Sequence, residues 1–100
     1  MKLPKSLNIL GQDIALKQED LDGMYGCFDY INKTISINVT AHTLYKENVQ
    51  ATLIHEIIHA ISKRVGLNQS ISLAMEEVIC ESISNCLTDN FDLVIKKKKK

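Results

Sequence analysis

The sequence predicts an α+β domain, a small antiparallel β-sheet packed on two antiparallel helices. Three observations carry that expectation. Apolar and polar residues alternate through the first forty positions, the period changes from two to about 3.6 near Asn48, and Gly66 divides the second half into two helical runs. The 100 residues are 45% hydrophobic with one proline and four glycines, which suits one modest core. Without repeats or a long linker, positions 1–95 read as a single domain, and Lys96 to Lys100 as a disordered lysine tail.

The strands come first. Leu7 and Ile9 alternate with polar neighbours, as do Ile14 and Leu16, and Gly11-Gln12-Asp13 is read as the turn between them. A polar loop from Gln18 to Gly23 follows. Cys27 to Ile31 is rich in strand formers and Thr34 to Val39 alternates cleanly, so the two are expected to pair antiparallel around a two-residue Asn32-Lys33 turn, one face on the core.

From about Asn48 a helix is expected. Stepping about 100° per residue from His55 gathers Asn48, Thr52, His55, Glu56, His59, Ser62 and Lys63 into one polar strip, with apolar residues on the rest of the circumference. Gly66 supplies the stop. A second helix, capped by Ser70 or Ser72, runs to about Leu87 or beyond. On it Val78, Ile79, Ile83, Cys86, Leu87 and Phe91 form the apolar arc, with Glu77, Glu81, Ser84 and Thr88 opposite. The short connection makes the helices antiparallel neighbours and brings Glu77 up to the histidine strip.

Charge and cysteine usage narrow the function classes. Formal net charge is zero, but setting aside Lys96 to Lys100 leaves seven basic against twelve acidic residues, a net of about −5. Such a body offers no basic face to nucleic acid. No run approaches the roughly 18 apolar residues of a membrane span, and the start lacks a signal-peptide core. Cys27, Cys80 and Cys86 are odd in number and unpaired by spacing, so free thiols in a cytoplasmic protein are expected.

The chemistry is concentrated in His55-Glu56-Ile57-Ile58-His59. Histidines four apart on one helical face can hold one cation, and two imidazoles with a carboxylate and an open fourth position describe a catalytic zinc site. Glu56 is rotated by about 100° from His55, too far to ligate comfortably but close enough to act on water activated by the ion, as a general base. The third ligand is expected from the second helix, where Glu76 and Glu77 are adjacent.

Together with Glu76-Glu77-Val78-Ile79-Cys80-Glu81, this motif resembles the gluzincin branch of HExxH zinc metallopeptidases, and the hairpin-then-helix layout is similar to small ImmA/IrrE-like bacterial and phage metallopeptidases. The resemblance spans roughly Tyr25 to Phe91 and implies a minimal zincin-like fold. It implies His55, His59 and Glu77 as zinc ligands, Glu56 as the base and Glu81 as the acid that orients a ligand histidine. Glu76 is the alternative ligand; otherwise it would sit in the first turn and favour the helix dipole. The implied role is hydrolysis of a protein or peptide substrate, a repressor in the case of a phage or mobile-element regulator.

An oxyanion donor is also needed, and Tyr25, Tyr30, Tyr45 and His42 are the candidates. With only about ten residues after the second helix, an open, shallow cleft is expected. Two other readings differ in class: a non-catalytic, zinc-stabilised protein-interaction module, and an interaction module acting through the lysine tail.

Overall fold

A computed structural model describes residues 3–45 and 48–96; the lysine tail beyond Lys96 lies outside them. The chain runs β1 (Ser6–Ile9), β2 (Gln12–Gln18), β3 (Gly26–Asp29), β4 (Thr34–Ile37), α1 (Val39–Tyr45), α2 (Val49–Val65), a 3₁₀ turn (Leu67–Gln69) and α3 (Leu73–Asn90). The α+β architecture with a sheet packed on helices is the expected one. Among the described residues no helix is long and apolar enough to cross a membrane.

Each boundary has a local cause. β1 and β2 pair antiparallel with Ile9 opposite Gln12. The turn is Leu10-Gly11, both at positive φ (52° and 84°), one residue before the expected position. Asn8 Oδ1 steadies it by accepting the Gly11 N–H at 3.0 Å. Asn48 caps α2 through its side-chain oxygen, which accepts from the Gln50 and Ala51 N–H groups. Gly66 ends α2 in the left-handed region at φ 79°, and Ser72 rather than Ser70 caps α3.

The sheet order is β1-β2-β4-β3, and β2 and β4 are parallel. The sheet is therefore mixed rather than wholly antiparallel. The β3–β4 hairpin folds back so that β4 enters between β2 and β3, and all four residues of β4 are buried. Ile35 and Ile37 join Ile9, Ile14, Leu16, Leu53 and Ala60 in the core, each fully buried large side chain contributing about 1.5–3 kcal/mol. Ser36, on the other face, hydrogen-bonds Glu19 at 2.6 Å, which makes a polar residue tolerable there. Asp29 pairs with Thr34, so the connecting loop is Tyr30 to Lys33 rather than the two residues expected. Asp29 holds that loop by accepting from the Asn32 backbone at 3.1 Å and side chain at 2.7 Å. The short helix α1, with Val39 as its first residue, replaces the end of the expected strand.

The layers are sheet, α2, then α3. The successive contacts of Ser62 and His59 with Glu76, and of His55 with Glu77 and Glu81, show that α2 and α3 run antiparallel. The face of α3 that meets α2 differs from the expected one. Glu76, Cys80 and Ser84 are its buried residues, whereas Val78, Ile83, Cys86 and Phe91 are exposed. Small and carboxylate side chains meet the polar strip of α2 because that strip offers hydrogen-bonding partners, and among the described residues no further layer covers the apolar side chains. The strip is correspondingly less open than expected, with Glu56 and Ser62 buried.

β3 is an edge strand and crosses α2 closely. A Cβ on Gly26 would lie 2.7 Å from Thr52 Cγ2, 3.2 Å from the Ser36 carbonyl oxygen and 3.4 Å from Glu56 Cγ. Thr52 cannot simply turn away, since its hydroxyl is bonded to His42 Nε2 at 2.8 Å. Gly26→Ala is therefore expected to destabilise the protein by about 1–3 kcal/mol in urea unfolding; an unchanged midpoint would show that β3 and α2 are not in this register.

Candidate metal centre

His55, Glu56 and His59 project from adjoining turns of α2, and α3 places its own acids against them. His59 Nε2 lies 3.2 Å from His55 Nε2. Glu77 spans both, with Oε2 at 3.2 Å from His55 Nε2 and Oε1 at 2.6 Å from His59 Nε2. Two nitrogens bound tetrahedrally to one zinc ion at about 2.05 Å stand roughly 3.3 Å apart. The spacing and the chemistry of this donor set fit a dication, which His55, His59 and Glu77 would hold.

The outer nitrogens are also engaged. His59 Nδ1 lies 2.7 Å from Glu76 Oε2, and His55 Nδ1 lies 3.0 Å from Glu81 Oε2. A carboxylate can only accept, so each of these contacts calls for a proton on Nδ1. The Glu77 oxygens face the two Nε2 atoms in the same way, and a cation bound between them would take the place of a proton there and use each Nε2 as an electron-pair donor. Glu76 is fixed in turn by the Ser62 hydroxyl. This corrects the reading of Glu76 as an end-of-helix charge: it sits in the first turn of α3, but only 7% exposed, between His59 and Ser62. Burial alone would raise its pKa; the bonds from Ser62 and His59 outweigh burial and hold the carboxyl below its ordinary range. The resemblance identified Glu81 as an orienting acid, and the geometry adds Glu76 as its counterpart on the other imidazole. The sequence signal for this was Ser62 falling within the histidine strip.

Glu56 is 8% exposed, and its carboxyl is pushed above the usual range by burial and by Glu77, against the opposing pull of His55 and His59. It stands between two cavities. One, of about 630 Å³, runs along Gly26, Cys27, Phe28 and Tyr30 on β3 and its loop, over His55, Glu56 and His59, to Leu73, Glu76 and Glu77. The other, of about 570 Å³, lies beyond His55 and Glu56 towards Met24, Tyr25, Glu81 and Ser84. Asn68, Ile71, Ser72 and the start of α3 also line the first cavity.

Of the four oxyanion candidates, Tyr25 and Tyr30 line these cavities. His42 is buried, with Nδ1 2.7 Å from the Asn38 carbonyl and Nε2 2.8 Å from Thr52 Oγ1, and Tyr25 meets its ring edge-on at 5.0 Å. It supports Tyr25 and Thr52 rather than facing the cleft. The side chain of Tyr45 lies outside the described residues.

Cys80, read from the sequence only as a free thiol, is fully buried beneath the histidines, and His55, His59 and Cys80 offer ligand atoms within 4.8 Å of one another. Burial, with the nearby carboxylates of Glu76, Glu77 and Glu56, pushes its thiol up to about 12. Cys27 is half-buried and Cys86 exposed, both as free thiols. Comparison with protein-family models, with curated proteins and with solved structures finds no match for this chain.

Glu76→Ala leaves the buried Ser62 hydroxyl without its acceptor, and a loss of roughly 1–3 kcal/mol is expected near neutral pH. Because the Glu76 carboxyl is held low in the folded protein, its contribution is present above the unfolded pKa and disappears as the pH falls through the folded value. Equal stability of variant and wild type at neutral pH would contradict the bonding described for Glu76.

Proposed function

We propose that this protein is a minimal zinc metallopeptidase in which His55, His59 and Glu77 hold the ion and Glu56 is the general base. The observation that carries the reading is the convergence of His55 Nε2, His59 Nε2 and the Glu77 carboxylate beside a buried, pKa-raised Glu56, all on the floor of a cleft. When bound, the ion supplies Lewis-acid activation of a water molecule and of the substrate carbonyl.

The chain's own residues do the rest. Glu56 takes the proton of the attacking water and delivers it to the amine that leaves, a role that a carboxyl above its ordinary pKa performs well at neutral pH. Glu76 and Glu81 hold the two imidazoles in the tautomer that presents Nε2. Among the described residues β3 pairs only with β4, so its other edge can take up an extended peptide as an added strand alongside Glu56. Tyr25 and Tyr30 are the remaining candidates to donate to the developing oxyanion. On the resemblance to gluzincins and to small ImmA/IrrE-like enzymes, the substrate is a protein or peptide, such as a repressor, and the setting a cytoplasmic regulatory one in a phage or mobile element.

A second reading, a zinc-stabilised module without catalysis, is favoured by one observation, the buried thiol of Cys80 near both histidines. Metal analysis with a peptide-cleavage assay on wild type and Glu56→Gln separates the two. The peptidase reading predicts one zinc per chain in both proteins and a fall in cleavage by about 10²–10⁴ in the variant. Equal cleavage by both would remove Glu56 as the base, zinc without cleavage in either would favour the module, and a wild type that takes up no zinc would overturn both readings.

A further inference from the structure

We propose that Cys80 is itself a ligand of this metal, reaching it from the buried side. The inference rests on the histidine site described above and adds a donor to it. Glu77 and Cys80 stand one turn apart on α3, yet they approach the imidazole pair from different surroundings. Glu77 is half-exposed and lines the cleft; Cys80 is fully buried and lines neither of the two cavities that meet at Glu56. Its sulfur and one nitrogen from each of His55 and His59 lie within 4.8 Å of one another. Zn–S bonds of about 2.3 Å and Zn–N bonds of about 2.05 Å require separations of roughly 3.6 Å between such donors, so small side-chain rotations bring all three onto one ion.

The electrostatics favour the same arrangement. A dication held against the protein interior needs anionic donors bonded to it, and a thiolate is one that the interior side can supply. Ligation replaces the S–H bond by a metal–sulfur bond, and the thiol proton passes to solvent. Glu76, Glu77 and Glu56 all lie near the sulfur, so the place shared by the thiol and the two imidazoles is also ringed by carboxylates. A soft sulfur donor also sets metal choice: zinc, cobalt and cadmium are accepted in preference to magnesium or manganese. Zinc can expand to five ligands, so four protein donors still leave room for a cleft-side group.

Titration of the metal-free full chain with Co²⁺, followed by absorption spectroscopy, tests the inference. Wild type should show an intense near-ultraviolet thiolate-to-cobalt band reaching its limit at one ion per chain. Cys80→Ser should bind one cobalt without that band, and its preference for cadmium over zinc should fall by roughly tenfold. The double variant Cys27→Ser/Cys86→Ser, with Cys80 as the sole thiol, should keep the band, which protects the conclusion should Cys80→Ser fail to fold. Stoichiometric cobalt binding by wild type without the band, or loss of the band in the double variant, would overturn Cys80 ligation while leaving the histidine site intact. Failure of wild type to bind cobalt or zinc at all would overturn the metal site itself.

Discussion

The arrangement depends on how α3 docks against α2. Two helices usually meet through apolar ridges, but here the contact is made by acids on one helix and imidazoles on the other, with Ser62, His59 and Glu76 forming its most buried link. Buried polar groups must be paired, and each carboxylate–imidazole bond constrains the rotation and axial position of α3. Once Glu76 is bonded to His59 Nδ1, Glu77 falls beside both Nε2 atoms, and Glu81, one turn on, reaches His55 Nδ1. The donor set is thus a consequence of the docking, and the docking is held by the groups that orient the donors.

The sheet contributes the other wall. Gly26 lets the edge strand β3 pass close to Thr52 and Glu56, and the same strand lines both cavities that meet at Glu56. His42, from the short helix α1, ties Thr52 to the Asn38 carbonyl and so links the end of the sheet to α2 at this crossing. Burial of Glu56 follows from that close approach, and its raised pKa follows from the burial. The environment of the Glu56 carboxyl is therefore shaped by a glycine thirty positions earlier in the chain.

What could be read from the sequence divides by range. The two histidines, Glu56, the Gly66 stop and the expectation of Glu77 beside them on a following helix depend on local helix geometry and short connections, which a linear pattern encodes, whereas Glu81 was singled out by the resemblance. The parallel pairing of β2 with β4 depends on where a hairpin is inserted, which alternation does not specify. The face of α3 was misassigned for a physical reason. Periodicity placed Val78, Ile83 and Phe91 inside, but the partner surface on α2 is polar, so acids and small residues were drawn in and these apolar residues remain outside. Cys80 was read only as a free thiol, because its place beside the two histidines depends on how the helices dock.

The central claim is that α3 poises both Nε2 atoms toward a shared cation by holding both Nδ1 protons. Nitrogen NMR of the imidazoles, recorded on ¹⁵N-labelled protein before and after one equivalent of zinc, addresses it directly. The account predicts that Nε2 of both His55 and His59 takes on the shift of a metal-bound nitrogen while each Nδ1 remains protonated. Zinc binding through Nδ1, or imidazole signals that do not respond to zinc, would contradict it.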